Sequence, residues 1–201
     1  MKTLEKIAIV AFVPAVLLLV IFFSGESARD VQPARLPPPP LDEWVTFTDD
    51  RFHFSFQYPP DWHLELEAAD VAGGGVKLST YPLDSTAFVK GPLPPDYLKI
   101  EIDVVGGDPR LAGQTIAEWR HARFDYDPSK VRFERSLVVA GVEALEIRME
   151  YYPGWETTEI YMPFSHPAYG DTAMWISATP FGLPILEQIY RDIVSSFQFT
   201  K

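Results

Sequence analysis

The 201-residue chain has no cysteine and no asparagine, and only four methionines. Without cysteine there can be no disulfide framework, thiolate metal site, cysteine nucleophile or lipidated N-terminal Cys. Without asparagine there is no N-x-S/T glycan acceptor. Basic residues are also scarce: 17 Lys and Arg against 28 Asp and Glu leave a net charge of −11. Residues 1–28 hold Lys2, Lys6, Glu5 and Glu26 and sum to zero, so the imbalance belongs to the rest of the chain. That balance argues against nucleic acid as a partner, because binding needs Lys and Arg to displace counterions from phosphates. It argues equally against peripheral docking on anionic lipid, and it suits a basic protein face, a cation, or simple solubility. What is present is 47% hydrophobic and 14% aromatic residues, enough to build a core and to exclude wholesale disorder. The length fits one domain with an appendage.

The appendage is N-terminal. Ile7 to Phe23 is an unbroken apolar run preceded by Lys2 and Lys6. Seventeen residues at ~1.5 Å rise span about 25 Å, just short of a ~30 Å hydrocarbon slab. Lys6 can snorkel, Ser24 can sit at the interface, and a kink at Pro14 is tolerated in lipid. Residues 1–23 therefore read as a signal anchor, a single transmembrane helix. The alternative is a signal peptide cleaved after Ser27, which would leave a secreted or periplasmic domain. In either case Lys2 and Lys6 stay in the cytoplasm and the acidic remainder is exported. Residues 24–42 form a tether in which Pro37 to Pro40 favour a stiff polyproline II spacer.

Residues 43–201 form the extracytoplasmic domain, which without cysteine must be held by its core alone. Phe52, Phe54, Phe56 and Tyr58 alternate with His53, Ser55 and Gln57, the pattern of a half-buried strand. After Pro59-Pro60-Asp61, Trp62, Leu64 and Leu66 alternate with His63, Glu65 and Glu67. A hairpin with Tyr58 opposite Trp62 would put all the apolar side chains on one face and Gln57–His63 and His53–Glu67 on the other. Gly73-Gly74-Gly75 and Gly106-Gly107 read as turns, and strands are expected at 76–81, 97–105, 156–163 and 172–179. A second hairpin spans 131–151 around Ala140-Gly141-Val142. A three-residue loop with positive φ at Gly141 would set Val131, Phe133 and Leu137 opposite Tyr151, Met149 and Leu145. Thr115 and Glu118 make a capping-box pattern opening a helix to about Phe124. Leu186, Ile189, Tyr190, Ile193, Val194 and Phe197 recur at three and four behind Pro184, one wide apolar helical stripe. Phe197 and Phe199 suggest a short closing strand. This order predicts an α+β fold, an antiparallel β-sheet with helices packed on it.

Several of these residues resemble those of PsbP-like proteins, named for the extrinsic lumenal subunit of photosystem II and including bacterial envelope proteins. They are Phe54-x-Phe56-x-Tyr58-Pro59-x-x-Trp62, Glu118-Trp119, the run Val139 to Ala144, and the terminal helix ending in Ser195-Ser196-Phe197-Gln198-Phe199. The resemblance covers about 44–200 and rests on folding motifs. It implies an antiparallel sheet between helices, an α/β/α sandwich, acting without catalysis by binding a protein in an extracytoplasmic space. The chain departs from the photosynthetic members in carrying its own apolar N-terminal run, and none of their ion- or partner-binding residues maps onto it.

Catalytic patterns are sparse. There is no G-x-S-x-G elbow, S-x-x-K, P-loop or G-x-G-x-x-G unit. His53 and His63 fall on a polar strand face, and His166 falls in a turn. His121, Asp125 and Asp127 are spaced to share the end of one helix, a charge pair or at most a metal half-site. Asp49-Asp50 and Asp103…Asp108 are acidic without an EF-hand pattern. No metal and no cofactor is expected. The positive signal is aromatic: Tyr152 and Trp155 on one loop, Phe164 and Tyr169 on the next, residue types that anchor partner interfaces or pack locally. The expected function is therefore that of a single-pass membrane protein. Residues 7–23 anchor it, and its outer domain binds a protein as an accessory or assembly factor. A small-ligand or cation-binding envelope protein, with the acidic surface or a cleft between sheet and terminal helix as its site, is the alternative. A membrane-anchored hydrolase would need His121 and a carboxylate beside a serine.

Overall fold

A computed structural model describes residues 40–67, 73–83, 94–105, 113–123, 125–166, 170–179 and 181–200, all within one compact unit. The apolar run 7–23, most of the tether, Asp108 and Tyr169 lie outside the described residues. No helix among those described is long and apolar enough to cross a membrane.

Two antiparallel sheets hold the domain together. The smaller is built from β1 (Val45–Asp49), β2 (Phe54–Tyr58) and β10 (Gln198–Phe199), with β2 in the middle. The larger has seven strands: β3 (His63–Leu66), β4 (Gly73–Ser79), β5 (Lys99–Val105), β6 (Val131–Val139), β7 (Val142–Tyr152), β8 (Trp155–His166) and β9 (Gly170–Ala178). Their order across it is β3-β4-β5-β9-β8-β7-β6. Helices α1 (Ile116–His121) and α2 (Pro184–Ser195) complete the fold. The strands and helices expected within residues 43–201 are present, and the α+β expectation holds in this coarser form: mostly β, two sheets rather than one, with few helices.

Three local expectations are corrected. First, β2 and β3 do not pair. The Pro59–Trp62 turn forms, with Trp62 N–H on Pro59 C=O at 3.1 Å, but the chain leaves it for the other sheet. Phe56 lies opposite Phe47 of β1, and Leu64 lies opposite Leu78 of β4, so neither His53–Glu67 nor Gln57–His63 is a cross-strand pair. The period-two pattern identified both strands but could not say which neighbour each would take. Second, the β6–β7 turn has two residues, not three. Ala140 (φ 51°) and Gly141 (φ 82°) both take positive φ, as a type I′ turn requires. Val139 therefore faces Val142, Leu137 faces Ala144, and an irregularity between Val131 and Phe133 leaves Val131 opposite Met149. Third, Gly73-Gly74-Gly75 is strand, not turn, and pairs with Val105, Val104 and Asp103. A Cβ on Gly75 would collide with the Ile102 carbonyl and the Asp103 side chain. Glycine is needed there for a close approach of strands rather than for flexibility.

One face of the large sheet, through Leu78, Ile100, Ile102, Ile160 and Ile176, shares a core with Phe54 and Phe56 of β2 and the α2 stripe. Phe197 follows α2 and stacks on Phe54 at 5.1 Å, which steers β10 onto β2. The opposite face at β7 and β8 carries Leu145, Ile147, Met149 and Tyr161, which α1 covers with Ile116 and Trp119. Thr115 and Glu118 cap α1 reciprocally, as the box pattern predicts. In the α2 stripe, Tyr190 is fully buried and its hydroxyl has no hydrogen-bond partner among the described residues. An unsatisfied buried hydroxyl costs free energy, so Tyr190→Phe is expected to be neutral or to stabilise by about 1 kcal/mol. The check is the urea midpoint, and a marked fall would mean that the hydroxyl has a partner.

Candidate functional site

The sequence-derived residues separate into four places. Tyr152 and Trp155 face each other across the tip of the β7–β8 hairpin. Pro153 occupies the first turn position and Gly154, with φ 78°, the second, as a type II turn requires. Tyr152 is 72% exposed and Trp155 38%, so this pair is presented to solvent rather than packed away. Phe164 is not on a loop. It lies in β8, partly buried against the main core, and stacks on Phe199 at 5.8 Å. Its aromatic character serves packing, because β8 runs on to His166.

The His121 cluster does not converge. His121 meets Glu134 at 2.9 Å and lies against the Tyr126 ring. Asp125 pairs with Arg120 and Arg123, and Asp127 accepts from the Ser129 backbone and hydroxyl. Among the described residues no group of three His, Asp or Glu could hold a metal ion. Asp49 is 3% exposed and spent on its own turn, accepting from the Arg51 and Phe52 N–H groups and the Arg51 guanidinium. His53 takes φ 54° and stacks on His166, whose Nε2 lies 2.8 Å from the Arg51 carbonyl.

Two buried ionic networks escaped the sequence reading. On the α1 side, Glu159 is 2% exposed and accepts from the hydroxyls of Tyr151 (2.6 Å), Tyr161 (2.7 Å) and Thr157 (3.2 Å). The fully buried Arg120 lies 3.6 Å from it, over the Tyr161 ring. Burial and the Glu159 charge push both tyrosine hydroxyls above their ordinary range, so they remain donors. On the α2 side, Glu146 is fully buried between Arg135 of β6, at 2.6 Å, and Arg191 of α2. For Glu146 the signal available in sequence was a charge between Leu145 and Ile147 on a strand, which reads equally well as a solvent-facing side chain.

The α2 side also holds a cleft. Arg148, Gly154, Glu156, Thr158, Phe181 and Glu187 line a space of about 280 Å³ between the β7–β8 hairpin and the start of α2. Arg148 lies over the Phe133 and Phe181 rings, at 5.0 and 5.8 Å. It donates to Thr158 and, at 2.9 Å, to Glu187. Burial works against ionisation of Glu187, but Arg148 and Arg191 hold its carboxyl below the usual range.

A further group of charges lies on β4 and β5 and just after β3. Lys77 pairs with Glu67 and lies 3.9 Å from Glu101, which also meets Lys99 at 3.0 Å. Burial, then the neighbouring Glu67 and Glu101, raise Asp103 from 3.8 to about 7. The folded state therefore holds a proton that the unfolded chain releases. The stabilisation is complete below 3.8 and is lost as pH rises through about 7. Thermal midpoints measured across that window are expected to fall toward neutral pH in the wild type and to flatten in Asp103→Asn. An unchanged slope in the variant would exclude Asp103 as the source.

No protein-family model and no curated protein matches the chain. Solved structures do. Cyanobacterial PsbP (CyanoP) from Synechocystis sp. PCC 6803 is similar at 10% identity and TM-score 0.46, over 83% of this chain and 98% of that one. LpqN of Mycobacterium tuberculosis, involved in cell envelope biogenesis, is similar at 16% identity and TM-score 0.41, over 79% and 91%. The Ran-binding protein Mog1p of Saccharomyces cerevisiae is similar at 6% identity and TM-score 0.40, over 79% and 96%. A PsbP is thus among the structures this chain is similar to, as the aromatic motifs lead one to expect.

Proposed function

We propose that the chain is a membrane-anchored extracytoplasmic domain that binds a protein partner, as a non-catalytic accessory or assembly factor of an envelope or membrane complex. The observation that carries this reading is the hairpin tip. Tyr152 and Trp155 are large amphipathic side chains held out by a rigid Pro-Gly turn, and Tyr152 is 72% exposed. Exposed aromatics of this kind are enriched among the anchors that dominate interface energetics. Support for the anchor and for the side of the membrane comes from the apolar run Ile7 to Phe23 behind Lys2 and Lys6.

Gentle detergent extraction of the full-length protein, followed by mass spectrometry, is expected to recover a specific partner. The double variant Tyr152→Ala/Trp155→Ala should lose that partner while its thermal midpoint stays unchanged. Retention of the partner at wild-type yield would end this reading. For topology, an alkaline phosphatase reporter fused after Lys201 is expected to be active and a cytosol-dependent reporter silent; the reverse result would put the domain on the other side.

A further inference from the structure

The cleft beside α2 has a chemistry of its own, independent of the partner reading above. At about 280 Å³ it lies near the lower limit of the ~300–1,000 Å³ usual for small-molecule sites, so its occupant has few heavy atoms. The lining is bipolar. Arg148 uses two of its five N–H donors, on Thr158 and Glu187, and the other three have no partner among the described residues. Its guanidinium is already fixed against the Phe133 and Phe181 rings, so little ordering remains to be imposed when a ligand arrives.

The acceptors are two carboxylates. Glu187 gives Oε1 to both Arg148 and Arg191, and its Oε2 has no partner among the described residues. Glu156, with a side chain 43% exposed, meets only Arg132 among the described residues, at 3.5 Å. A simple anion entering here would face two negative groups, and a simple cation would face the guanidinium. Each is opposed by part of the lining.

We infer that this cleft binds a small zwitterion of the free α-amino acid class, its carboxylate on Arg148 and its ammonium between Glu156 and Glu187. A carboxylate suits the planar fork of an arginine, and an ammonium a few bonds away reaches acceptors that the protein leaves unengaged. Phe181 supplies the one aromatic wall, against which an apolar side chain gains by burial.

Titration calorimetry on the full-length protein in detergent tests this with glycine, L-leucine and L-phenylalanine. Two half-ligands, 4-methylpentanoate and 3-methylbutylamine, keep the leucine side chain and only one charge each. Binding of leucine or phenylalanine is expected to be tighter than that of glycine, with each half-ligand about ten-fold weaker than leucine or worse. Glu156→Gln disturbs a single loose ion pair and should fold normally while weakening leucine several-fold; Arg148→Gln should abolish the heat. No heat from any of the three amino acids at about 10 mM would overturn the inference. Equal binding of 4-methylpentanoate, or leucine binding untouched in both variants, would also overturn it. Tyr152→Ala separates the two claims, since it should cost the protein partner and leave leucine binding intact.

Discussion

Burial of the β2 aromatic face is the constraint on which the rest of the domain depends. Phe52, Phe54 and Phe56 are at most 1% exposed, and no single strand can cover three such rings. They are covered from two directions, by the large sheet and by the terminal helix with Phe197 behind it. Once those rings are inside, β2 needs neighbours on both edges at the right height. The chain supplies β1 from before it and β10 from the far end of the sequence. That closure links residues about 140 positions apart: the Gln57 N–H donates to Ser196 Oγ at 2.8 Å, and the Thr200 N–H to the His53 carbonyl at 2.8 Å. With no cysteine to tie the ends, this stacking and these few bonds hold the termini of the domain in place.

The ionic networks do a different job. Apolar burial supplies most of the free energy of docking α2 but tolerates sliding along the stripe. Glu146 cannot slide, because a fully buried carboxylate deprived of Arg135 and Arg191 would cost several kcal/mol. It therefore fixes where α2 sits on β7. Glu159 and Arg120 play the same part for α1, which at six residues is too short to be specified by its apolar contacts alone. The tyrosine hydroxyls that surround Glu159 satisfy the carboxylate without adding charge.

These considerations explain what the letters revealed and what they hid. Period-two and period-three-four patterns report which face of an element is buried, so β2, β5, α1 and α2 were legible, together with the capping box and the positive φ at Gly141. They do not report the partner. Phe56 could have paired with Leu64 as well as with Phe47, since both choices segregate apolar from polar side chains, and only the larger core decides between them. The site behaves likewise. Tyr152 and Trp155 announce themselves because a Pro-Gly turn breaks two strands between them, whereas Phe164, read as a loop residue, is strand and faces the core. Arg148, Glu156 and Glu187 carry no local signal at all. They are ordinary charges in sequence, on two strands and a helix, and become a cleft only when α2 lies across β7.

The position of that cleft follows from one small residue. A Cβ on Gly182 would run into the backbone of Pro95, so the segment leading into α2 can lie this close only because glycine is there. Pinned in this way, Phe181 reaches two places at once. Its ring meets Tyr190 at 5.5 Å, on the buried side of α2, and lies 5.8 Å from the Arg148 guanidinium on the open side. Pro184 then starts the helix without a side-chain cap, since its ring needs no hydrogen bond at that position. The same close approach that seals the core therefore sets a fixed aromatic wall beside a fixed guanidinium. A larger residue at 182 would have to move both, and would disturb the cleft and the α2 docking together.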